Sequence, residues 1–242
     1  MRATAEGDPL KLSIVLPCRN EVGNIGLILE SIQVNGWSET NSEIIVVNDG
    51  STDGTTELLE ILKNAKKNLV VINTTNRLGL GQSIFLGINT ASNDYVAVMD
   101  TDGIHDPGYL AIMCEEIRKG NGLVIGSRYV KGGTMVGALY PFMSKVMNKI
   151  VQTVIGSKVK DQLCGFFIAE RSRLIQMDSS KFNGFGEYFM KLIAHFEPSV
   201  KIKELGTIHN VRSSGKRKSN RREMTKTYLK TAIDIRRTKF DI

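Results

Sequence analysis

The stretch EIIVVNDGSTDGT, residues 43–55, decides the fold. Ile44, Ile45, Val46 and Val47 form an unbroken β-branched run, the pattern of a strand buried on both faces. The run passes directly into Asn, Asp, Gly, Ser and Thr, residues that end strands and open turns. Thr52 or Asp53 can then cap a helix running to about Asn64. Strand, polar turn and helix in immediate succession are the first half of a βαβ unit.

The same rhythm extends in both directions. Upstream, LSIVLP (residues 12–17) reads as a strand, and residues 23–34 place Ile25, Leu29 and Ile32 at helical spacing. Downstream come a strand LVVI (69–72), a helix over about 81–91 and a strand YVAVM (95–99). Asp106 followed by Pro107 signals a helix start, with the helix reaching about Lys119, and LVIG (123–126) is a fifth strand. Apolar strands alternating with helices predict an α/β fold with a mainly parallel central sheet flanked by helices.

Beyond Gly126 the rhythm weakens. KGGTMVG (131–137) reads as a loop, and residues 138–155 as a helix with Pro141 near its start. CGFFIAE (164–170) reads as a strand, GEYFMKLIAHF (186–196) as an apolar helix, and KIKELG and TIHNVR as short strands. SSGKRKSNRRE (213–223) reads as a polar, basic, mobile loop. The final helix carries Met224, Tyr228, Ala232 and Ile235 on one stripe among basic residues. Such a stripe meets either a membrane or partner surface, or the body of the protein itself.

The 242 residues carry a net charge of +7, unevenly spread. From Lys201 onward there are 13 Lys and Arg against 4 Asp and Glu, whereas the first 200 residues have a net of −2. A near-neutral body with a basic tail implies a local anionic partner. No apolar run approaches the roughly 18 residues that span a bilayer, and the first residues lack the apolar core of a signal peptide. Cys18, Cys114 and Cys164 form no CxxC pair, which predicts a reducing, cytoplasmic setting. There is no GxGxxG after the first strand and no GxxxxGK[ST], which disfavours dinucleotide cofactors and P-loop hydrolysis.

In open α/β sheets, ligands bind outside the carboxyl ends of the strands. Four of the expected strands end in polar clusters: PCRNE (17–21), NDGSTDGT (48–55), DTDGIHDP (100–107) and GSRYVKGG (126–133). Asp100 and Asp102, one residue apart after an apolar strand, can share a hard divalent cation, Mg²⁺ or Mn²⁺, that also meets substrate phosphates.

These blocks, with NRLGLG (76–81), resemble in order and spacing a family 2 glycosyltransferase. The last two resemble its polyprenyl-phosphate branch, the dolichol-phosphate mannose synthase-like enzymes. The likeness covers about residues 12–218. It implies a GT-A nucleotide-sugar-binding fold in one catalytic domain over 1–212. A donor half would span about 10–126 and an acceptor half about 127–212, with 213–242 as a basic loop and amphipathic helix. It also implies inverting, metal-assisted transfer of a sugar, first mannose from GDP-mannose, to dolichyl or another polyprenyl phosphate. The setting would be peripheral, at the cytoplasmic face of a membrane reached through the basic segment or a membrane partner subunit.

Residue by residue, the resemblance assigns Pro17, Arg19 and Glu21 to base and ribose, and Val47 and Asp49 to the second nucleotide segment. Asp100, Thr101 and Asp102 match the motif that touches ribose, diphosphate and metal. Arg128 matches a phosphate-binding arginine, Arg212 and Lys218 match a basic R-x-x-G-x-S-K loop that closes over the diphosphate, and Ser144 matches a serine facing the acceptor phosphate together with Arg128 and Arg212. Departures are Asn48 for a first Asp, Tyr140 for a basic residue, Phe167 for an arginine, and Ile104 for the Gln that adds a third metal contact. His105 is either a substitute contact or a residue packing beneath the loop.

The chemistry expected is attack by an anionic phosphate oxygen on the anomeric carbon. Such a nucleophile needs little general base, so catalysis falls to Asp100, Asp102 and Arg128 through positioning and charge stabilisation. A family 2 enzyme using a UDP-sugar or a hydroxyl acceptor is the alternative; it needs a carboxylate base, for which Asp161 is the candidate. Nucleic-acid binding through the tail is disfavoured, because only Tyr228 and Phe240 are there to stack bases.

Overall fold

A computed structural model describes residues 10–136, 139–212 and 221–240. The first half alternates as expected: β1 (Leu12–Cys18), α1 (Ile25–Val34), β2 (Ser42–Asn48), α2 (Thr55–Ala65), β3 (Leu69–Asn73), α3 (Leu80–Thr90), β4 (Tyr95–Val98), α4 (Tyr109–Arg118) and β5 (Leu123–Ser127). There follow β6 (Thr134–Met135), α5 (Leu139–Ile155), β7 (Phe167–Glu170), the short α6 (Arg171–Leu174), a 3₁₀ turn at Ser179–Phe182, α7 (Glu187–Phe196), β8 (Ile202–Gly206), β9 (Ile208–His209) and α8 (Arg221–Phe240).

Seven strands form one sheet in the order β3-β2-β1-β4-β7-β5-β8. Every residue of β1 is buried, as is nearly every residue of β2, which is why these strands read as unbroken apolar runs. β1 and β2 pair in parallel from Leu12 opposite Ser42 to Cys18 opposite Asn48. β7 alone runs antiparallel, wedged between β4 and β5. A single reversed strand leaves its two neighbours parallel to each other, so β1, β2, β4 and β5 all end on one rim. That rim carries the four polar clusters expected from the sequence.

Helices cover both faces, and two glycines set how closely. A Cβ on Gly87 of α3 would lie 2.4 Å from Cγ1 of Val15, and one on Gly126 of β5 would lie 2.5 Å from the Phe166 ring. Neither approach tolerates a side chain. A separate apolar cluster joins Val151 and Ile155 of α5, Met190 of α7 and Tyr228, Ala232 and Ile235 of α8. The stripe of the last helix is therefore buried against the body, leaving basic residues such as Lys226 and Lys230 exposed.

Two helix starts differ from expectation. α2 begins behind Gly54, held at φ 95°, with Oδ1 of Asp53 accepting from the Thr55 N–H. α4 begins two residues past Pro107, and the Asp106 carboxylate accepts instead from the Gly108 N–H. In both places an extra turn intervenes, and the acidic side chain caps that turn. Among the described residues no helix is long and apolar enough to cross a membrane. All three cysteines are buried and unpaired with one another.

Candidate active site

The turn after β4 is built from backbone inward. The Met99 N–H donates to the Val15 carbonyl and the Thr101 hydroxyl to the Pro17 carbonyl, tying the turn to the end of β1. The Asp100 N–H donates to Nδ1 of His105 at 3.0 Å. Oδ1 of Asp102 accepts from the Ile104 N–H, and the Ile104 carbonyl accepts from the Asn210 N–H. Ile104 thus supplies only its backbone where the family's Gln would supply a ligand.

Asp100 and Asp102 both hold their protons unusually late, to about pH 6. Withdrawal from water is the main cause, although 41% of the Asp100 side chain stays exposed, and it is reinforced at Asp102 by Asp100 and at both by Glu21. Two crowded, all-oxygen carboxylates that resist ionising together suit a hard divalent cation. Arg212 offsets part of the repulsion. Its Nη2 lies 2.7 Å from Oδ2 of Asp102 and its Nη1 3.6 Å from Oε1 of Glu21.

The side of the rim formed by the β1 and β2 loops is held by polar links between loops. Glu21 is buried, with Oε2 accepting from Nδ2 of Asn24. Asn20 adopts φ 50°, and its side chain and backbone bond to Thr52 and Ser51 across the cleft between the β1 and β2 loops. Short polar Asn tolerates that conformation better than most residues. Asp49 gives both carboxylate oxygens to the backbone N–H groups of Leu78 and Gly79, so it anchors the NRLGLG loop. Pro17 and Val47 line the strand ends through backbone, and Arg19 is half-buried just past β1.

Arg128 sits at the end of β5 with its side chain 7% exposed. Nε and Nη2 donate to the two oxygens of Asp161 at 2.8 and 2.7 Å, and the Arg128 N–H also donates to Asp161 at 2.9 Å. Burial alone would push the Asp161 carboxyl up; the guanidinium overrides it and holds it below the usual range. Glu204 of β8 secures this corner, accepting from Ser127 and from the N–H groups of Lys160 and Asp161. The remaining Nη1 of Arg128 points to Oγ of Ser144 at 3.4 Å, and the Tyr129 hydroxyl donates to the same oxygen at 3.0 Å.

His105 lies beneath the carboxylates, stacked on Phe166 with centroids 4.9 Å apart and edge-on to His209 at 4.9 Å. Burial and the charge of Arg128 keep its ring neutral, with a pKa of about 3. His105, Cys164 and His209 bring ligand-type atoms within 4.8 Å of one another. Each already has a protein partner: Cys164 donates to the Gly126 carbonyl at 2.6 Å, His105 accepts from the Asp100 N–H, and Nε2 of His209 lies 3.6 Å from Cys164 Sγ. Stacked on Phe166 with Nδ1 taken by the Asp100 N–H, His105 packs beneath the turn.

The fold therefore brings Glu21, Asp100, Asp102 and Arg212 together in one group, and Arg128 and Ser144 in a second. Lys218 and the closing loop lie outside the described residues. Asn20, Asn24 and Tyr129 take part without having been singled out; Tyr129 follows Arg128 directly in GSRY, which was the available signal.

A mainly parallel sheet flanked by helices, with a carboxylate pair where the strand order turns from β1 to β4, has the architecture of the GT-A fold. More particularly, the chain belongs to glycosyl transferase family 2, whose pattern matches residues 13–177. It is similar to a dolichol-phosphate mannosyltransferase of Pyrococcus furiosus, 35% identical over 164 residues, covering 65% of this chain and 46% of that protein. It is also similar to a polyprenol monophosphomannose synthase of Mycolicibacterium smegmatis, 31% identical over 184 residues, covering 73% of this chain and 68% of the relative. The match thus spans a little under half of the Pyrococcus protein. Among solved structures, glucosyl-3-phosphoglycerate synthase from Mycobacterium tuberculosis, in complex with Mn²⁺, UDP and glucosyl-3-phosphoglycerate, superposes with a TM-score of 0.69. At 22% identity, over 93% of this chain and 80% of that one, the likeness is one of fold.

Proposed function

We propose that the chain transfers a sugar, mannose from GDP-mannose in the first instance, to the phosphate of a polyprenyl lipid. One observation carries the acceptor class. The carboxylate of the acceptor corner, Asp161, is consumed by Arg128 and cannot serve as a base for a hydroxyl nucleophile. What that corner offers is donors: Nη1 of Arg128, and the Ser144 and Tyr129 hydroxyls. Donors suit an acceptor that arrives already anionic, and a phosphate monoester has a second pKa near 6. The identity of the relatives named above supports the lipid.

Asp100 and Asp102 would hold the divalent metal, which when bound supplies charge neutralisation for the departing diphosphate. Glu21, Thr101 and the Asn20-bridged loops orient the nucleoside. Arg128, clamped rather than mobile, keeps one N–H edge fixed toward the acceptor phosphate, so that little reorganisation accompanies attack. Arg212 and Lys218 would neutralise phosphate from the open side. The basic face of α8 is suited to a peripheral position on an anionic leaflet, alone or beside a membrane subunit.

The test is incubation with radiolabelled GDP-mannose, polyprenyl phosphate and Mg²⁺ or Mn²⁺. Label entering an organic-extractable, mild-acid-labile product is the expected result. Label found only in water-soluble glycan would overturn it.

A further inference from the structure

Asp102 has two oxygens, and both are engaged. Oδ1 accepts from the Ile104 N–H, a bond internal to the turn. Oδ2 is held by Nη2 of Arg212 at 2.7 Å. The oxygen best placed to meet a divalent cation is therefore the one that a protein cation holds. We propose that Arg212 couples metal and diphosphate binding, giving up Asp102 to the metal and moving to the diphosphate.

Three features of this chain support the exchange. First, Arg212 is not locked. Its side chain is 27% exposed, against 7% for Arg128, and its second contact, to Glu21, is a long 3.6 Å. Second, the backbone leading to it is fixed. The Asn210 N–H donates to the Ile104 carbonyl, so the segment stays tied to the metal turn while the guanidinium swings. Third, the charges balance only one way. Arg128 is neutralised by Asp161, leaving Arg212 to face Glu21, Asp100 and Asp102. A divalent cation arriving on Asp102 repels the guanidinium, and a diphosphate offers it a new anionic partner whose geometry suits its planar fork.

The consequence is thermodynamic. Metal alone must displace Arg212 and binds weakly. Metal with a diphosphate lets the displaced guanidinium form a new pair, so each ligand tightens the other by the same factor. The inference rests on the donor-site reading above.

Mn²⁺ binding to the full chain, followed by electron paramagnetic resonance of the free ion with and without GDP, tests it. In the wild-type chain GDP should tighten Mn²⁺ by about fivefold or more. In Arg212→Gln, Mn²⁺ alone should bind several-fold tighter than in the wild type, and the tightening by GDP should shrink several-fold, to what direct contact between the ion and the diphosphate supplies. Arg212→Lys, which keeps the charge but lacks the fork, should fall between them and serves if the Gln variant does not fold. Unchanged or weaker binding of Mn²⁺ alone to Arg212→Gln would overturn the proposal, as would full coupling in that variant. Failure of every nucleoside diphosphate to bind the wild type would instead count against the donor-site reading, because the arm with Mn²⁺ alone uses no nucleotide.

Discussion

Arg128 and Asp161 meet edge to edge in the interior, with Nε and Nη2 of the arginine on the two carboxylate oxygens at 2.8 and 2.7 Å. Arg128 lies at the end of β5 and Asp161 in the loop after α5, so the pair staples that loop to the sheet. Breaking one side strands a buried charge. Asp161→Asn or Arg128→Ala should each cost about 3–5 kcal/mol in denaturant unfolding. The double variant should cost less than the sum of the two. Additive losses would mean the two groups do not depend on each other. Because the Asp161 carboxyl is held below its ordinary value, its contribution is full at neutral pH and is lost progressively as pH falls from that ordinary value through the lowered one.

The carboxylate pair behaves in the opposite sense. Asp100 and Asp102 are raised to about 6, so the folded chain holds more protons than the unfolded chain between their ordinary range and that value. Stability should therefore fall as pH rises through this window, and the penalty should persist above it. Asp100→Asn removes one charge. It should raise the melting temperature at pH 8, by about 2–4 °C for each kcal/mol relieved, while abolishing Mn²⁺ binding. A variant that melts lower at pH 8 would contradict the repulsion.

Mn²⁺ must also compete with those protons. Its affinity should decline as pH drops below about 6, in a titration of the ion against the full chain from pH 5 to 8. A flat profile would place the metal elsewhere.

Ser144→Ala and Tyr129→Phe remove one hydroxyl each from the group around Nη1 of Arg128, which is proposed to meet the acceptor. A hydrogen bond to a charged group contributes about 1.5–3 kcal/mol, so kcat/KM for the lipid phosphate should drop about 10- to 100-fold. The KM for the nucleotide sugar should hardly move. Equal effects on both substrates would remove Ser144 from the acceptor side.

The two faces of α8 should separate cleanly. Ala232→Asp puts a charge into the cluster with Val151, Ile155 and Met190, and should lower stability. Lys226→Glu with Lys230→Glu alters only exposed positions. It should leave unfolding unchanged while weakening sedimentation with anionic vesicles, each lysine having contributed about 1 kcal/mol. Loss of vesicle binding in neither variant would remove α8 from the membrane contact.

What the sequence determined by itself was local in origin. Unbroken apolar runs such as EIIVV and LVIG, each followed by polar turn residues, announced buried strands and the polar clusters at their ends, because periodicity and turn chemistry act over a few neighbours. The Asp100–Asp102 pair stood out for the same reason, and the GSRY arginine through the family resemblance. Tertiary structure decided the rest. It inserted β7 backwards between β4 and β5, turned the stripe of α8 onto α5 and α7, and gave Arg128 to Asp161, 33 residues away. It also laid Arg212 on Asp102 and Asn20 across to Thr52. Each of these is a pairing over long sequence separation, set by which charges and surfaces the packed sheet brings within reach, and no local pattern of residues encodes that distance.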